Sequence, residues 1–305
     1  TGGWSANWIV WRATSRATPG LRSQGRHPAG GDRVGARRRL DAELVRRGLV
    51  ASRTQAQHLI EQRRVTLGGV VADKPATMVD SAAALAIVDG GARAFASRAG
   101  HKLDGALRRL AVSVSGRHAL DAGAAHGGFT DVLLRHGAAR VVAVDVAYGQ
   151  LDWRLRSDPR VVVFERTNVR HLTAEQVPAP PAELVVADLS FISLTLVLPA
   201  LRGVAAGDAD FLLMVKPQFE AGREAVGRGG VVRDPDVWAR AILRVVTAAG
   251  ELGLGVAGVV VSSLPGPSGN VEFFVHLRAG ATGDIEAMIA GAVAEGTALR
   301  TSGGR

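Results

Sequence analysis

Beyond residue 98, short apolar runs alternate with longer segments that have helical spacing. Short apolar runs bounded by turn residues are typical of strands buried in a sheet. We predict seven strands, which carry the sequences HALD, VVAVD, RVVVF, ELVVAD, FLLMVK, GVAGVVVSS and VEFFVHLR. Helical segments separate most of them, whereas the turn LPGPSG joins the last two. This pattern predicts an α/β doubly wound sheet that ends in an antiparallel pair.

Residues 36–89 have a different pattern, which predicts a small α+β domain. Two amphipathic helices come first, separated near Gly48, and short strands follow around the Gly68-Gly69 turn. The polar positions of this segment are rich in arginine, and these residues are Arg38, Arg39, Arg46, Arg47, Arg53, Arg63 and Arg64. The segment therefore predicts a domain with a basic surface.

The chain divides into five predicted parts. Residues 1–35 are rich in Gly, Arg, Ser and Pro, and we expect a disordered tail or a start-site artefact, with the natural product beginning near residues 34–37. The α+β domain spans 36–89, a Gly- and Ala-rich linker 90–98, the doubly wound domain 99–280, and a C-terminal tail 281–305.

The net charge of +9 lies entirely before residue 99. Residues 99–305 contain 21 basic and 21 acidic side chains, so the excess belongs to the first third of the chain. A basic N-terminal part beside a neutral remainder favours binding of a polyanion by the first part. The chain has no cysteine and no uninterrupted apolar segment of membrane-spanning length, so we expect a soluble, cytoplasmic protein without disulfides or thiolate metal sites.

A Gly-rich turn between the first two strands of the second domain predicts a nucleotide site. The first strand ends at Asp121, the turn runs from Gly123 to Gly128, and the next strand ends at Asp145. This spacing suits close approach of a ligand to the backbone and a carboxylate on a ribose diol. The turn also nearly fits the dinucleotide fingerprint, so it does not decide which nucleotide is bound.

Charged side chains stand where later strands end. Asp188 ends the fourth strand, Lys216 ends the fifth, and Glu272 opens the seventh, while Lys102 lies in the first turn of a helix. Open α/β sheets bind ligands at this edge, so the four side chains should surround one crevice. Two lysines and two carboxylates without a metal-ligand cluster suit methyl transfer to a hydroxyl, because a neutral lysine can accept the hydroxyl proton.

Two family resemblances follow from these motifs. The pattern RLDxxLVxxGLxxSRxxAxxLIxxxxVxLxGxxxxKP, from Arg39 to Pro75, resembles an S4 RNA-binding domain. The four charged side chains resemble the K-D-K-E tetrad of FtsJ-like RNA 2'-O-methyltransferases. Together with DxGAxxGGFTD, VVAVDVxYGQL, ADLSFISL, VKPQFE, GGVVRDP and PGPSGNVE, they make residues 37–278 similar to the TlyA family of ribosomal RNA methyltransferases, whose members are also called hemolysins.

The resemblance implies a class I (Rossmann-like) methyltransferase fold, S-adenosylmethionine as the cofactor, and the cytidine 2'-hydroxyl of ribosomal RNA in ribosomal subunits as the acceptor. It implies the catalytic tetrad Lys102, Asp188, Lys216 and Glu272. It also implies cofactor contacts from Asp121, Gly123, Ala124, Ala125, Gly127, Gly128, Phe129, Asp145 and Asn168, and contacts of the listed arginines with RNA phosphates.

For the tetrad we expect Lys216 to accept the proton, Lys102 to favour the neutral form of Lys216, and Glu272 to orient a lysine. Asp188 would lie between the cofactor and the lysines. The family's turn usually reads GASTGGFT, whereas this chain has GAAHGGFT. The missing hydroxyl at Ala125 predicts weaker cofactor binding. A histidine at 126 predicts either a neutral replacement for threonine or a group whose charge changes near pH 6.5.

Three other functions remain open at this point. A nicotinamide-dependent enzyme would use the near-fingerprint and Asp145, but it leaves the basic domain and Lys216 unexplained. A non-catalytic RNA-binding protein with a decayed cofactor site would account for the altered turn. A pore-forming hemolysin fits poorly, because no segment is long and apolar or strongly amphipathic. The oligomeric state does not follow from the sequence.

Overall fold

The described residues form three sheets, of which two small ones precede residue 89 and a seven-stranded one follows residue 95. The computed structural model describes residues 37–50, 52–61, 63–88 and 95–302. The predicted tail 1–35 lies outside the described residues, as do residues 90–94 of the predicted linker and the last three residues of the chain.

The N-terminal domain packs two helices on short antiparallel strands. Its elements are β1 (Arg38–Arg39), α1 (Leu40–Arg46), α2 (Arg53–Glu61), β2 (Val65–Leu67), β3 (Val70–Val71), β4 (Met78–Val79) and β5 (Leu85–Ile87). The apolar faces predicted from the helical spacing form the core, where Leu40, Leu44, Ile60 and Val65 are fully buried. The predicted α+β class of this domain is confirmed.

The second domain contains a seven-stranded sheet within the described part of the chain. Its elements are α3 (Ala99–Arg109), β6 (His118–Ala122), α4 (Gly128–Arg135), β7 (Arg140–Val144), α5 (Trp153–Arg156), β8 (Val161–Phe164), β9 (Ala182–Ala187), α6 (Leu198–Gly203), β10 (Ala205–Val215), α7 (Pro217–Glu220), α8 (Pro235–Gly250), β11 (Leu254–Val261), β12 (Phe273–Ala279) and α9 (Ile285–Ser302).

The strand order is β11-β12-β10-β9-β6-β7-β8. The strands from β10 to β8 are parallel, whereas β12 is antiparallel to both of its neighbours. The predicted doubly wound sheet with a final antiparallel pair is therefore confirmed. Because β12 runs in the opposite direction, its first residue lies at the edge where β6, β9 and β10 end.

The described part of the predicted linker packs on the second domain. Ala96 is buried with α3 and α4, and its N–H donates to the Asp131 carboxylate of α4 at 2.8 Å. Residues 95–98 are thus fixed against the sheet domain. No helix in the described ranges is long and apolar enough to cross a membrane.

Candidate active site

At two positions of the Gly-rich turn between β6 and α4, the backbone has a positive φ and leaves no room for a Cβ atom. Gly123 has φ +87°, and a Cβ there would lie 2.7 Å from the Asp188 carbonyl oxygen. Gly127 has φ +90°, and a Cβ there would overlap Leu155. These conformations and contacts favour glycine. They bring the turn directly against the end of β9.

The four charged side chains predicted from strand ends meet at this edge as two ion pairs. Lys102 Nζ lies 2.5 Å from Glu272 Oε2, and Lys216 Nζ lies 2.7 Å from Asp188 Oδ1. Lys102 is 5% exposed, Lys216 9% and Glu272 1%. Lys216 also donates to Ser190 Oγ at 3.1 Å. The structure therefore brings the whole predicted tetrad together.

Other buried polar groups hold the loops that carry the tetrad. Glu220 of α7 accepts hydrogen bonds from Ser193 Oγ at 2.5 Å and from the Leu194 N–H at 2.8 Å. This carboxylate joins the loop after Asp188 to the helix after Lys216. Burial raises the pKa of Glu220, and the two hydrogen bonds oppose that effect. The motifs ADLSFISL and VKPQFE thus form one structural unit.

The turn before β12 is fixed in a similar way. Asn270 accepts from the Val232 N–H at 2.9 Å and donates to the Gly230 carbonyl oxygen at 2.9 Å. A Cβ at Gly266 would lie 2.5 Å from Glu272 Oε1, so the backbone passes directly over this carboxylate. The motifs GGVVRDP and PGPSGNVE therefore position Glu272.

A cavity of about 430 Å³ connects the Gly-rich turn with the tetrad. Of the residues predicted to contact a cofactor, those that line it are Gly123, Ala124, Ala125, Gly128 and Phe129. Asp145 lies beside a small adjacent cavity, where its two carboxylate oxygens accept the N–H groups of Ala125 and Ala147 at 2.8 and 2.7 Å. Asp145 therefore also fixes the turn.

The remaining predicted cofactor residues lie away from the cavity walls. Gly127 is the αL residue that precedes α4. Asn168 is exposed and caps a short helical turn by accepting the Arg170 N–H at 3.0 Å. Asp121 lies beneath the Gly-rich turn and is fully buried. Within the described residues, no cluster of three His, Cys, Asp or Glu side chains could hold a metal ion.

Asp121 has an unusual electrostatic environment. Its Oδ2 accepts from Thr130 Oγ1 at 2.6 Å, whereas Oδ1 is buried and has no partner among the described residues. Burial raises the pKa of Asp121 to about 7, the hydrogen bond from Thr130 opposes this, and Asp188 and Asp145 raise it further. Three carboxylates thus share one end of the sheet.

His126 stacks on His58 of the N-terminal domain. The ring centroids are 3.8 Å apart and the ring planes differ by 4°. Burial and the neighbouring His58 lower the pKa of His126 to about 4, although Asp145 and Asp152 oppose this. The predicted charge change near pH 6.5 is therefore wrong, because the ring lies in a partly buried stack. The sequence pattern contained no signal for this contact.

Two buried carboxylates hold four of the arginines predicted to bind RNA. Asp41 lies 3.0 Å from both Arg39 and Arg53, and Glu43 lies 2.6 Å from Arg46 and 2.8 Å from Arg47. The hydrogen bonds from Arg46 and Arg47 lower the pKa of Glu43 to about 2. Arg38 and Arg63 are exposed, and Arg64 Nε donates to the Val88 carbonyl oxygen at 3.3 Å.

Phe191 was not singled out by the sequence pattern. Its side chain is 91% exposed and its φ is +65°. The ring lies 5.2 Å from that of Phe219, which in turn is 6.0 Å from Lys216 Nζ. A positive φ is strained for a bulky residue, and such backbone strain is found mostly at functional sites.

Comparisons with known proteins agree with this geometry. A model of FtsJ-like methyltransferases matches residues 95–279, and a model of the S4 domain matches residues 38–83. The 16S/23S rRNA (cytidine-2'-O)-methyltransferase TlyA of Mycobacterium tuberculosis is 59% identical over 242 residues, which are 79% of this chain and 90% of that protein. The chain belongs to the TlyA family.

Two further relatives support the assignment of the chain to the TlyA family. Hemolysin A of Brachyspira hyodysenteriae is 33% identical over 238 residues, which are 78% of this chain and 98% of that protein. A solved structure described as a candidate hemolysin from Streptococcus thermophilus has 35% identity and a TM-score of 0.70, and it covers 88% of this chain and 98% of that one. The predicted TlyA family and methyltransferase fold are confirmed.

Proposed function

We propose that this TlyA family member transfers a methyl group from S-adenosylmethionine to the 2'-hydroxyl of a cytidine in ribosomal RNA. The observation that carries the proposal is the tetrad, which forms two ion pairs on the wall of the cavity that the Gly-rich turn also lines. The Lys102–Glu272 pair is buried, and in the other pair Lys216 is buried and Asp188 half-buried. The M. tuberculosis relative is named for methylation of 16S and 23S ribosomal RNA. Since ribosomes are cytoplasmic in bacteria, we place the enzyme in the cytoplasm.

The residues around the turn fit S-adenosylmethionine. The αL glycines allow the backbone to approach a nucleoside closely, and Asp145 follows the neighbouring strand at the position of a ribose ligand. Gly123, Ala125 and Phe129 would line the nucleoside and amino acid portions of the cofactor. When bound, the cofactor supplies an electrophilic methyl group on a sulfonium centre.

Within the tetrad, Lys216 is the proposed acceptor of the hydroxyl proton. Its Nζ is buried at the end of β10, between Asp188 Oδ1 and Ser190 Oγ. Only the neutral amine can accept a proton, so the ammonium group of the Lys216–Asp188 ion pair must first release one proton to solvent. The amine then takes the proton of the attacking hydroxyl, and the Asp188 carboxylate stabilises the ammonium group that this transfer restores. Lys102 is held by Glu272, so its ammonium group is oriented to bind the acceptor hydroxyl or the adjacent phosphate.

The N-terminal domain is the proposed RNA-binding surface. Its arginines would bind phosphates and contribute affinity that is largely independent of sequence and falls with salt. Phe191 offers an exposed ring beside Phe219, whose own ring lies 6.0 Å from Lys216 Nζ, and a nucleobase could stack on the Phe191 ring once it leaves the RNA helix. The surface and the ring together would bring one nucleotide to the tetrad.

The experiment compares Lys216→Ala and Lys216→Arg with the wild-type enzyme on ribosomal subunits. We expect both variants to lose about 10²- to 10⁴-fold in methylation rate, the range of a general base. The arginine variant keeps the positive charge, but its guanidinium group does not deprotonate. RNA binding, measured by filter retention, should remain unchanged. Mass spectrometry of alkali-resistant dinucleotides identifies 2'-O-methylation.

Three outcomes would contradict the proposal. Full methylation by either Lys216 variant would remove the proton-acceptor role. Methyl groups found on a base instead of the ribose oxygen would remove the assigned acceptor. Binding of NAD but not of S-adenosylmethionine by the wild-type enzyme would favour a nicotinamide-dependent reaction.

A further inference from the structure

The wall of the cofactor cavity includes side chains of the N-terminal domain. His58 and Glu61, at the end of α2, line the same cavity as Gly123 and Ala125 of the Gly-rich turn. His58 lies face to face with His126 of that turn, with centroids 3.8 Å apart. The RNA-binding domain therefore contributes directly to a site whose chemistry belongs to the other domain.

His58 also contacts the segment that joins the domains. Its Nε2 lies 2.9 Å from the Ala96 carbonyl oxygen. Ala96 in turn donates its N–H to Asp131 of α4, the helix that begins at the end of the Gly-rich turn. The face of the His58 ring thus contacts the Gly-rich turn, and its edge contacts Ala96, which is hydrogen-bonded to α4.

The backbone of the Gly-rich turn is strained at Ala125, so it needs stabilising contacts. His126 lies between Ala125, with φ +45°, and Gly127, with φ +90°. The left-handed region is unfavourable for a residue with a Cβ such as Ala125, so contacts from the surroundings must stabilise this backbone shape. The Asp145 carboxylate holds the Ala125 N–H on one side. The His58 ring covers the next residue, His126, on the side of the RNA-binding domain.

We propose that His58 is a positioning residue for the cofactor: by stacking on His126 it holds the Gly-rich turn in the shape that accepts S-adenosylmethionine. The inference rests on the proposed function for the identity of the cofactor. Cofactor affinity then depends on whether α2 of the RNA-binding domain is packed against the Gly-rich turn. Because coupling between two binding events is reciprocal, bound cofactor would also stabilise this packing.

The test uses the full chain and calorimetric titration with S-adenosylmethionine. His58→Ala removes the stack, and we expect a Kd about two- to tenfold higher, the range of an aromatic pair. The KM for the cofactor should rise by the same factor, while kcat at saturating cofactor stays at the wild-type value. His58→Phe keeps an aromatic face and should restore the wild-type Kd. Thr54→Ala, on the exposed side of α2, is the matched control.

Repeating the measurement in a His126→Thr chain distinguishes loss of the His58–His126 stack from a general loss of structure. In a His126→Thr chain the stack is already absent, so adding His58→Ala should leave the Kd unchanged. A wild-type Kd for His58→Ala, or an equal loss in the His126→Thr background, would overturn the inference. If the wild-type chain itself does not bind S-adenosylmethionine, the proposed function fails instead, so the two failures are distinguishable.

Discussion

Asp121→Asn should stabilise the enzyme more at pH 8 than at pH 5. Asp121 is fully buried beneath the Gly-rich turn, and its pKa is raised from 3.8 to about 7 in the folded chain. The folded state therefore binds the proton more tightly than the unfolded state does. The tightly held proton contributes its full stability below pH 3.8. This contribution is lost between pH 3.8 and about 7, because over that range the unfolded chain ionises while the folded chain keeps the proton.

The size of the effect follows from proton linkage. Ionisation of Asp121 lowers the free energy of unfolding by about 2 kcal/mol at pH 5 and about 4 kcal/mol at pH 8. Asparagine does not ionise, so the advantage of the variant should grow by about 2 to 3 kcal/mol between these pH values. The amide nitrogen in place of the unpartnered Oδ1 costs about 1 to 3 kcal/mol. That cost is the same at both pH values and leaves the difference unchanged.

Urea unfolding followed by tryptophan fluorescence measures this difference, since Trp238 is fully buried in the same domain. Asp208→Asn, at an exposed position of β10, controls for the loss of one negative charge. A variant whose advantage is equal at pH 5 and pH 8, or smaller at pH 8, would refute the argument that burial of the Asp121 carboxylate opposes folding.

Three further predictions concern the Gly-rich turn. Gly127→Ala should lower the free energy of unfolding by about 1 to 3 kcal/mol, measured by urea unfolding. Gly149→Ala is the control: its φ is +70°, but an added Cβ would contact no neighbour, so this change should lower the free energy of unfolding by less. Ala125→Ser should lower the Kd of S-adenosylmethionine about two- to tenfold by calorimetry, through one added hydrogen bond; an unchanged Kd would show that the hydroxyl has no role. In the Asp121→Asn chain, which lacks the carboxylate that titrates near pH 7, cofactor affinity should stay constant from pH 8 to pH 6 and fall below pH 5, since the lowered pKa of His126, about 4, keeps the ring neutral until then. A change centred near pH 6.5 in that chain would contradict the stack.

The tetrad was predictable because strand ends are local features. Asp188, Lys216 and Glu272 each adjoin a continuous apolar run, and the rule for open α/β sheets puts such positions on one edge. Lys102 follows from no such rule, since a lysine in a first helical turn carries no signal of its own. It was grouped with the other three charges, and the family resemblance then matched it to the tetrad. The pairing itself, Lys102 with Glu272 and Lys216 with Asp188, depends on side-chain directions that periodicity does not contain.

The predictions that failed or fell short depend on contacts between distant residues. The surroundings of His126 are set by His58, 68 residues earlier in the chain, so its reference pKa was a poor guide. The family resemblance assigned Asn168 to the cofactor; in the structure its side chain caps the next turn, and its contact with the cofactor stays a prediction. The basic surface was predicted from arginine count, which does not reveal that buried Asp41 and Glu43 bind four of those arginines.

The position of β12 has a consequence for the order of events during synthesis. This strand lies between β10 and β11, although it is the last strand of the sheet in chain order. Until residues 273–279 are made, β10 has an open edge, and Glu272 lacks the strand that anchors it. Pairing across such a sequence separation comes late, because the loop must close before the contacts form. A nascent chain therefore has a cofactor turn before it has a complete tetrad, and catalytic competence begins only after β12 has been made and paired.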